Sequence, residues 1–149
     1  MINLLLQFAF AFLGTLGFTF IFNVPKKQMP VAAAIGGVGW VIYQVSVSAG
    51  LGIAISCFLG ACAVGITSDI ASRVFKEAAT IFVIPGVLPL VPGAGTYYTI
   101  LAAVEGNLPE AAEKGVQTLA MAGAIALGLL VIGSIVQMIR AFSNRVKTS

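Results

Sequence analysis

From Ile2 to Phe22 the chain runs 21 residues without a charge, and from Ala78 to Val104 it runs 27. A helix of about 20 apolar residues covers the roughly 30 Å hydrocarbon core of a bilayer. Stretches this long and this bare of charge are incompatible with a water-facing helix. A soluble domain carries about a quarter charged residues. Here only 9% are charged against 59% hydrophobic, with mean hydropathy +1.05. Lipid must face most of the surface, and the expectation is one integral membrane domain, 1–149, all α-helical.

Five apolar stretches are expected to span, at about 2–22, 31–48, 51–68, 78–104 and 115–138. The first is too long for a signal-peptide core and lacks a basic leader, so it reads as a retained helix. Asn3, Gln7, Ala11, Thr15, Thr19 and Asn23 recur every four residues on it. Such a small or polar stripe faces other helices, or a polar path, while Leu and Phe face lipid. The third stretch continues helically into "SDIASRVFKEA", where Asp69/Arg73 and Arg73/Glu77 are i,i+4 pairs. Asn107 with Glu110 three residues on has the form of a capping box ahead of the last span.

The basic residues set an orientation. With the N-terminus outside and all five stretches crossing, Lys26, Lys27, Arg73, Lys76, Arg140, Arg145 and Lys147 share the cytoplasmic side. Only Lys114 falls outside, among Glu105, Glu110 and Glu113. This is a positive-inside pattern. It requires the fourth stretch to span. An odd number of spans in a small chain points to half of a larger assembly, as in inverted-repeat transporters.

That fourth stretch holds "IPGVLPLVPGAGTYY". A mid-helix proline costs about 3 kcal/mol and leaves a carbonyl without its partner. Pro85, Pro89 and Pro92 would free the carbonyls of Ile81, Pro85 and Leu88. Irregular backbone at membrane depth persists only where protein or a wet cavity satisfies it. Two half-helices are therefore expected near mid-membrane, the first ending near Pro85–Gly86 and the second starting near Pro92 or Gly93. The N–H groups from Gly93 to Thr96 would form a positive end, the first half's carbonyls a negative one, and Thr96, Tyr97 and Tyr98 would add hydroxyls. That polarity suits a small amino acid.

Other chemistries find little support. There is no histidine, and no Gly-x-Ser-x-Gly, intramembrane acidic pair or metal-ligand set, so no enzyme, cofactor or metal is expected. "GAGT" is not a phosphate loop, since no lysine follows it. Cys57 and Cys62 lie about 140° apart on one helix and read as packing residues. No acidic residue lies deeper than Asp69. With Arg73 it forms either a paired helix end or a charged cytoplasmic mouth able to carry a coupling proton.

The stretch "FKEAATIFVIPGVLPLVPGAGTYYTIL" resembles the smaller, C-terminal half of the threonine/serine exporter family. "GGVGWVIYQV" and "AGAIALGLLVIGSIV" resemble the same family, and the likeness covers roughly 20–136. It implies a subunit of a secondary exporter of small hydroxylated amino acids in the cell membrane. A chain of this length resembles the split form, which implies a larger membrane subunit as partner. Some relatives are associated with small dicarboxylates such as succinate, which gives an alternative substrate class; a non-transporting accessory subunit is the other alternative. The family often has proline where Ala78 stands, which bears on where the first half-helix starts. Carried onto this sequence, the motif positions are Pro85, Gly86, Pro89, Pro92, Gly93, Gly95 and Tyr97.

Overall fold

The computed structural model describes residues 4–147, with side chains through Ile139, and is all-helical over that range. Its elements are α1 (Leu4–Ile21), α2 (Met29–Ser48), α3 (Ile53–Phe75), α4 (Thr80–Val87), a 3-10 turn (Leu88–Leu90), α5 (Gly93–Val104) and α6 (Leu108–Lys147). Four helices are long and apolar enough to cross a membrane. They become five if α4, the 3-10 turn and α5 form one span, bent by 49°. Ile2 and Asn3, and the side chains of Arg140, Arg145 and Lys147, lie outside the described residues.

The connections are short because the helices end in the same way. At the end of α1, Val24 N–H donates to Thr19 C=O and Asn23 N–H to Phe20 C=O, with Asn23 left-handed at φ 52°. That is a Schellman motif. Gly50 and Gly106 repeat it after α2 and α5. After α3 the left-handed position is taken by Lys76, at φ 56°, with Glu77 N–H on Ser72 C=O. Ser72 Oγ also donates to Glu77 C=O at 2.6 Å. The helix thus stops at Phe75, and Glu77 falls outside it. The expected Arg73/Glu77 pair loses its helical register, whereas Arg73 Nε does meet Asp69 Oδ2 at 2.8 Å.

The packing inverts the soluble pattern. Leu5, Phe10, Phe20, Ile21, Val74, Leu119 and Leu130 are exposed, while Thr15, Thr19, Ser56 and Ser68 are buried. Lipid is as apolar as leucine, so helices associate through small and hydroxylated faces. The polar stripe of α1 behaves in this way: Thr15 and Thr19 face inward, their hydroxyls bonded to Ala11 C=O and Leu16 C=O. α1 packs on α2, α2 on α3, and α3 on α6 around Gly128 and Ile132. At that last seam Gly128 lies so near Phe58 that an added Cβ would stand 2.8 Å from its carbonyl oxygen. Cys62 Sγ donates across the seam to Gly128 C=O at 3.7 Å, and both cysteines are free thiols.

α6 begins at Leu108, earlier than the expected 115. Asn107 Oδ1 accepts from Glu110 N–H at 3.3 Å, and Asn107 Nδ2 donates to Glu110 Oε2 at 2.8 Å. This cap starts the helix seven residues ahead of the apolar run.

Candidate functional site

The broken helix has unequal halves. α4 lies between α2 and α3, with Phe82, Pro85 and Gly86 buried and Phe82 at 0% exposure. Pro85 sits inside α4 and does not end it. The first half-helix, expected to end near Pro85–Gly86, ends as an α-helix at Val87 and then tightens into the 3-10 turn, which runs on to Leu90. Tightening re-pairs the carbonyls that the prolines free. Leu88 N–H takes Pro85 C=O, and Val91 N–H takes Leu88 C=O at 3.1 Å. A 3-10 turn uses i→i+3 bonds, so a proline four residues on no longer orphans its acceptor. At Pro85 and Leu88 the expected row of open carbonyls is absent.

The break itself is narrow. Val91 is extended, Pro92 has φ −77° and ψ 58°, and Gly93 N–H donates back to Val91 C=O at 2.8 Å. These are the angles and the bond of an inverse γ-turn. Pro92 is then the N-cap of α5, and its C=O accepts Thr96 N–H at 3.1 Å. Of the four N–H groups expected to be free, those of Gly93 and Thr96 are used. Ala94 and Gly95 remain, and no side chain caps them. Eleven residues precede the break from Thr80 and twelve follow it to Val104, so it divides the pair near its middle.

The three motif glycines do different things. A Cβ on Gly86 would stand 3.0 Å from Ile35 Cγ2 and 3.3 Å from Val64 Cγ1, and one on Gly95 would run into Thr118. Both let helices close up. Around Gly93 there is nothing within 4 Å of that point, so the backbone there is open to approach. Thr96 Oγ1 donates to Pro92 C=O at 3.2 Å. Tyr97 and Tyr98 are 62% and 50% exposed and point away from the bundle. Their rings meet edge-on at 5.3 Å, and Lys114 Nζ lies 5.2 Å from the Tyr98 ring while pairing with Glu110 at 2.6 Å.

Pro89 faces another way. With Gln7, Phe10, Gly14, Phe18 and Trp40 it lines a groove of about 270 Å³ between α1, α2 and the 3-10 turn. Trp40 Nε1–H donates to Gln7 Oε1 at 2.7 Å there. In the sequence Gln7 stood out only as part of a stripe, and Trp40 only as one residue of "GGVGWVIYQV". The available signal was an amide among apolar neighbours in an uncharged stretch.

Asp69, 8% exposed, lines a second cavity of about 210 Å³ with Gly65, Ala79, Val83, Gly133 and Gln137. Asp69 and Arg73 therefore stand apart from the γ-turn, at the α3 end that leads into α4. No group of metal-ligating side chains occurs among the described residues.

The family described as "Threonine/Serine exporter, ThrE" matches the chain over residues 7–135, and the chain belongs to it. No solved structure matches the chain.

Proposed function

Taking that membership as premise, we propose that the chain is one half of a secondary exporter moving threonine and serine out across the cell membrane, with substrate held at the γ-turn break. The observation that carries this is the start of α5. Two uncapped N–H groups, on Ala94 and Gly95, sit beside a glycine with open space around it. A helix N-terminus of this kind favours an anionic group such as a substrate carboxylate. Discontinuous helices with such ends are a recurring device in secondary transporters. The bilayer cannot supply partners for those N–H groups, so substrate, water or protein must.

A larger, complementary subunit completes the path in this reading. Support comes from α5, whose packing is on α6 while Tyr97, Tyr98 and Ile100 face outward. The chain is oriented with its N-terminus outside and its C-terminus cytoplasmic, which follows the positive-inside pattern. Asp69 and Arg73 then form the cytoplasmic mouth, and access alternates as one bundle rocks against another.

Pro92→Ala tests the site. Alanine supplies an N–H and relaxes the γ-turn, so α5 extends backwards and covers Ala94 and Gly95 with helical turns. Threonine export from loaded cells should be lost while the protein still reaches the membrane at normal levels. Normal export in this variant would refute the site.

A further inference from the structure

The groove beside Pro89 contains a feature the exporter reading does not use. Indole N–H can only donate, so the Gln7 atom it meets must be the carbonyl oxygen. The 2.7 Å bond from Trp40 therefore fixes which way the Gln7 amide faces. Its –NH2 group is left with two donors and has no partner among the described residues. An amide donor left unpaired among apolar side chains is costly, which points to an acceptor that arrives from elsewhere. The rest of the lining is apolar or bare: Phe10, Phe18, the Pro89 ring, and Gly14 with nothing within 4 Å of a Cβ there. The space, about 270 Å³, admits a small amino acid. Pro89 ties it to the break, only three residues before Pro92.

We propose that the groove between α1, α2 and the 3-10 turn is a substrate subsite, in which the Gln7 amide donates to the side-chain hydroxyl oxygen of serine or threonine. This rests on the exporter reading and adds its specificity element. Backbone N–H groups recognise what all amino acids share, a carboxylate. A side-chain donor held in one orientation recognises what distinguishes serine from alanine. A site built around a hydroxyl rejects the analogue that lacks it, because its donors are then left unpaired. Trp40 is a positioning residue, since it acts through the Gln7 amide.

The test is labelled-serine export from vesicles carrying the complete exporter, with unlabelled serine or alanine as competitor on the loading side. In Gln7→Leu the half-saturating serine concentration should rise about tenfold, the loss expected for one hydrogen bond. The alanine concentration for half-inhibition should stay the same. Trp40→Phe keeps an aromatic ring, a smaller one, and drops the N–H, and should shift serine in the same direction but less. Trp40 is the chain's single tryptophan, so the part of the emission that Trp40→Phe removes should respond saturably to serine in the wild type and not in Gln7→Leu. An equal shift for serine and alanine would overturn the proposal. So would an unchanged serine constant with poorer recovery of the assembled protein, which would make Gln7 an adhesive between helices. A wild-type exporter that moves neither serine nor threonine would instead bring down the exporter reading, and this subsite with it. Loss of export in Pro92→Ala with serine selectivity unchanged in Gln7→Leu would leave that reading standing and refute the subsite alone.

Discussion

α4 and α5 come from one uncharged stretch, yet they are built for different work. α4 is held on two sides, by α2 and α3, and buries Phe82, Pro85 and Gly86. α5 is held mainly by α6, buries Ala102, and leaves Tyr97, Tyr98, Ile100 and Val104 exposed. A motif proline lies inside α4 and another caps α5, with different outcomes. Pro85 is absorbed into a helix because the next turn tightens around it. Pro92 is not, because Val91 is extended and the chain turns back on itself at Gly93. A proline alone therefore does not locate a break; the backbone on either side of it does.

This contrast can be broken most directly at Phe82. Its ring is fully enclosed, so Phe82→Ala should destabilise the α2–α3–α4 core by about 3 kcal/mol, the lower part of the range for this change. Thermal unfolding of the purified protein in detergent would show it, and a loss under 1 kcal/mol would mean that α4 is not locked. Gly86→Val should cost about 2 kcal/mol by overpacking against Ile35 and Val64. Gly95→Ala should cost about 1 kcal/mol by forcing α5 away from Thr118, and Thr118→Ala in the same chain should recover most of it. If the double variant is no better than the single one, the α5–α6 approach is misassigned. Gly93→Ala should be smallest, within about 0.5 kcal/mol, because open space surrounds the position. The pair is informative together: stability should track Gly86 and Gly95, while export should be sensitive at Gly93 if a ligand approaches the backbone there.

Much of this architecture is written locally. Charge-free run length marks the helices, and Asn107 with Glu110 sets the start of α6. The turns at Gly50 and Gly106 lie where the sequence breaks its apolar runs. The break was legible as three prolines and three glycines, but its form was not. Whether Pro85 C=O stays open depends on the 3-10 turn at Leu88–Leu90, and proline spacing reads equally well either way. The outward set of Tyr97 and Tyr98 was illegible for a different reason. Which face of α5 is covered depends on α6, and that register comes from Gly95 meeting Thr118 and from Gly115, where an added Cβ would stand 3.3 Å from Thr99 Cγ2. The Gln7–Trp40 bond joins residues 33 positions apart on different helices. Periodicity along either helix gives each residue a face, but it does not say which two faces meet.

The seam between α3 and α6 also orders events in time. Cys62 and Gly128 are 66 positions apart, whereas α1, α2, α3 and α4 follow one another directly in the chain. As the polypeptide emerges from the ribosome, those four can pair before Gly128 exists. The small-residue face of α3, with Ala61, Cys62 and Gly65, then has no neighbour until nearly all the chain has been made. Chains cut short before Gly128 would carry that face uncovered into the membrane, where quality-control proteases meet incomplete assemblies.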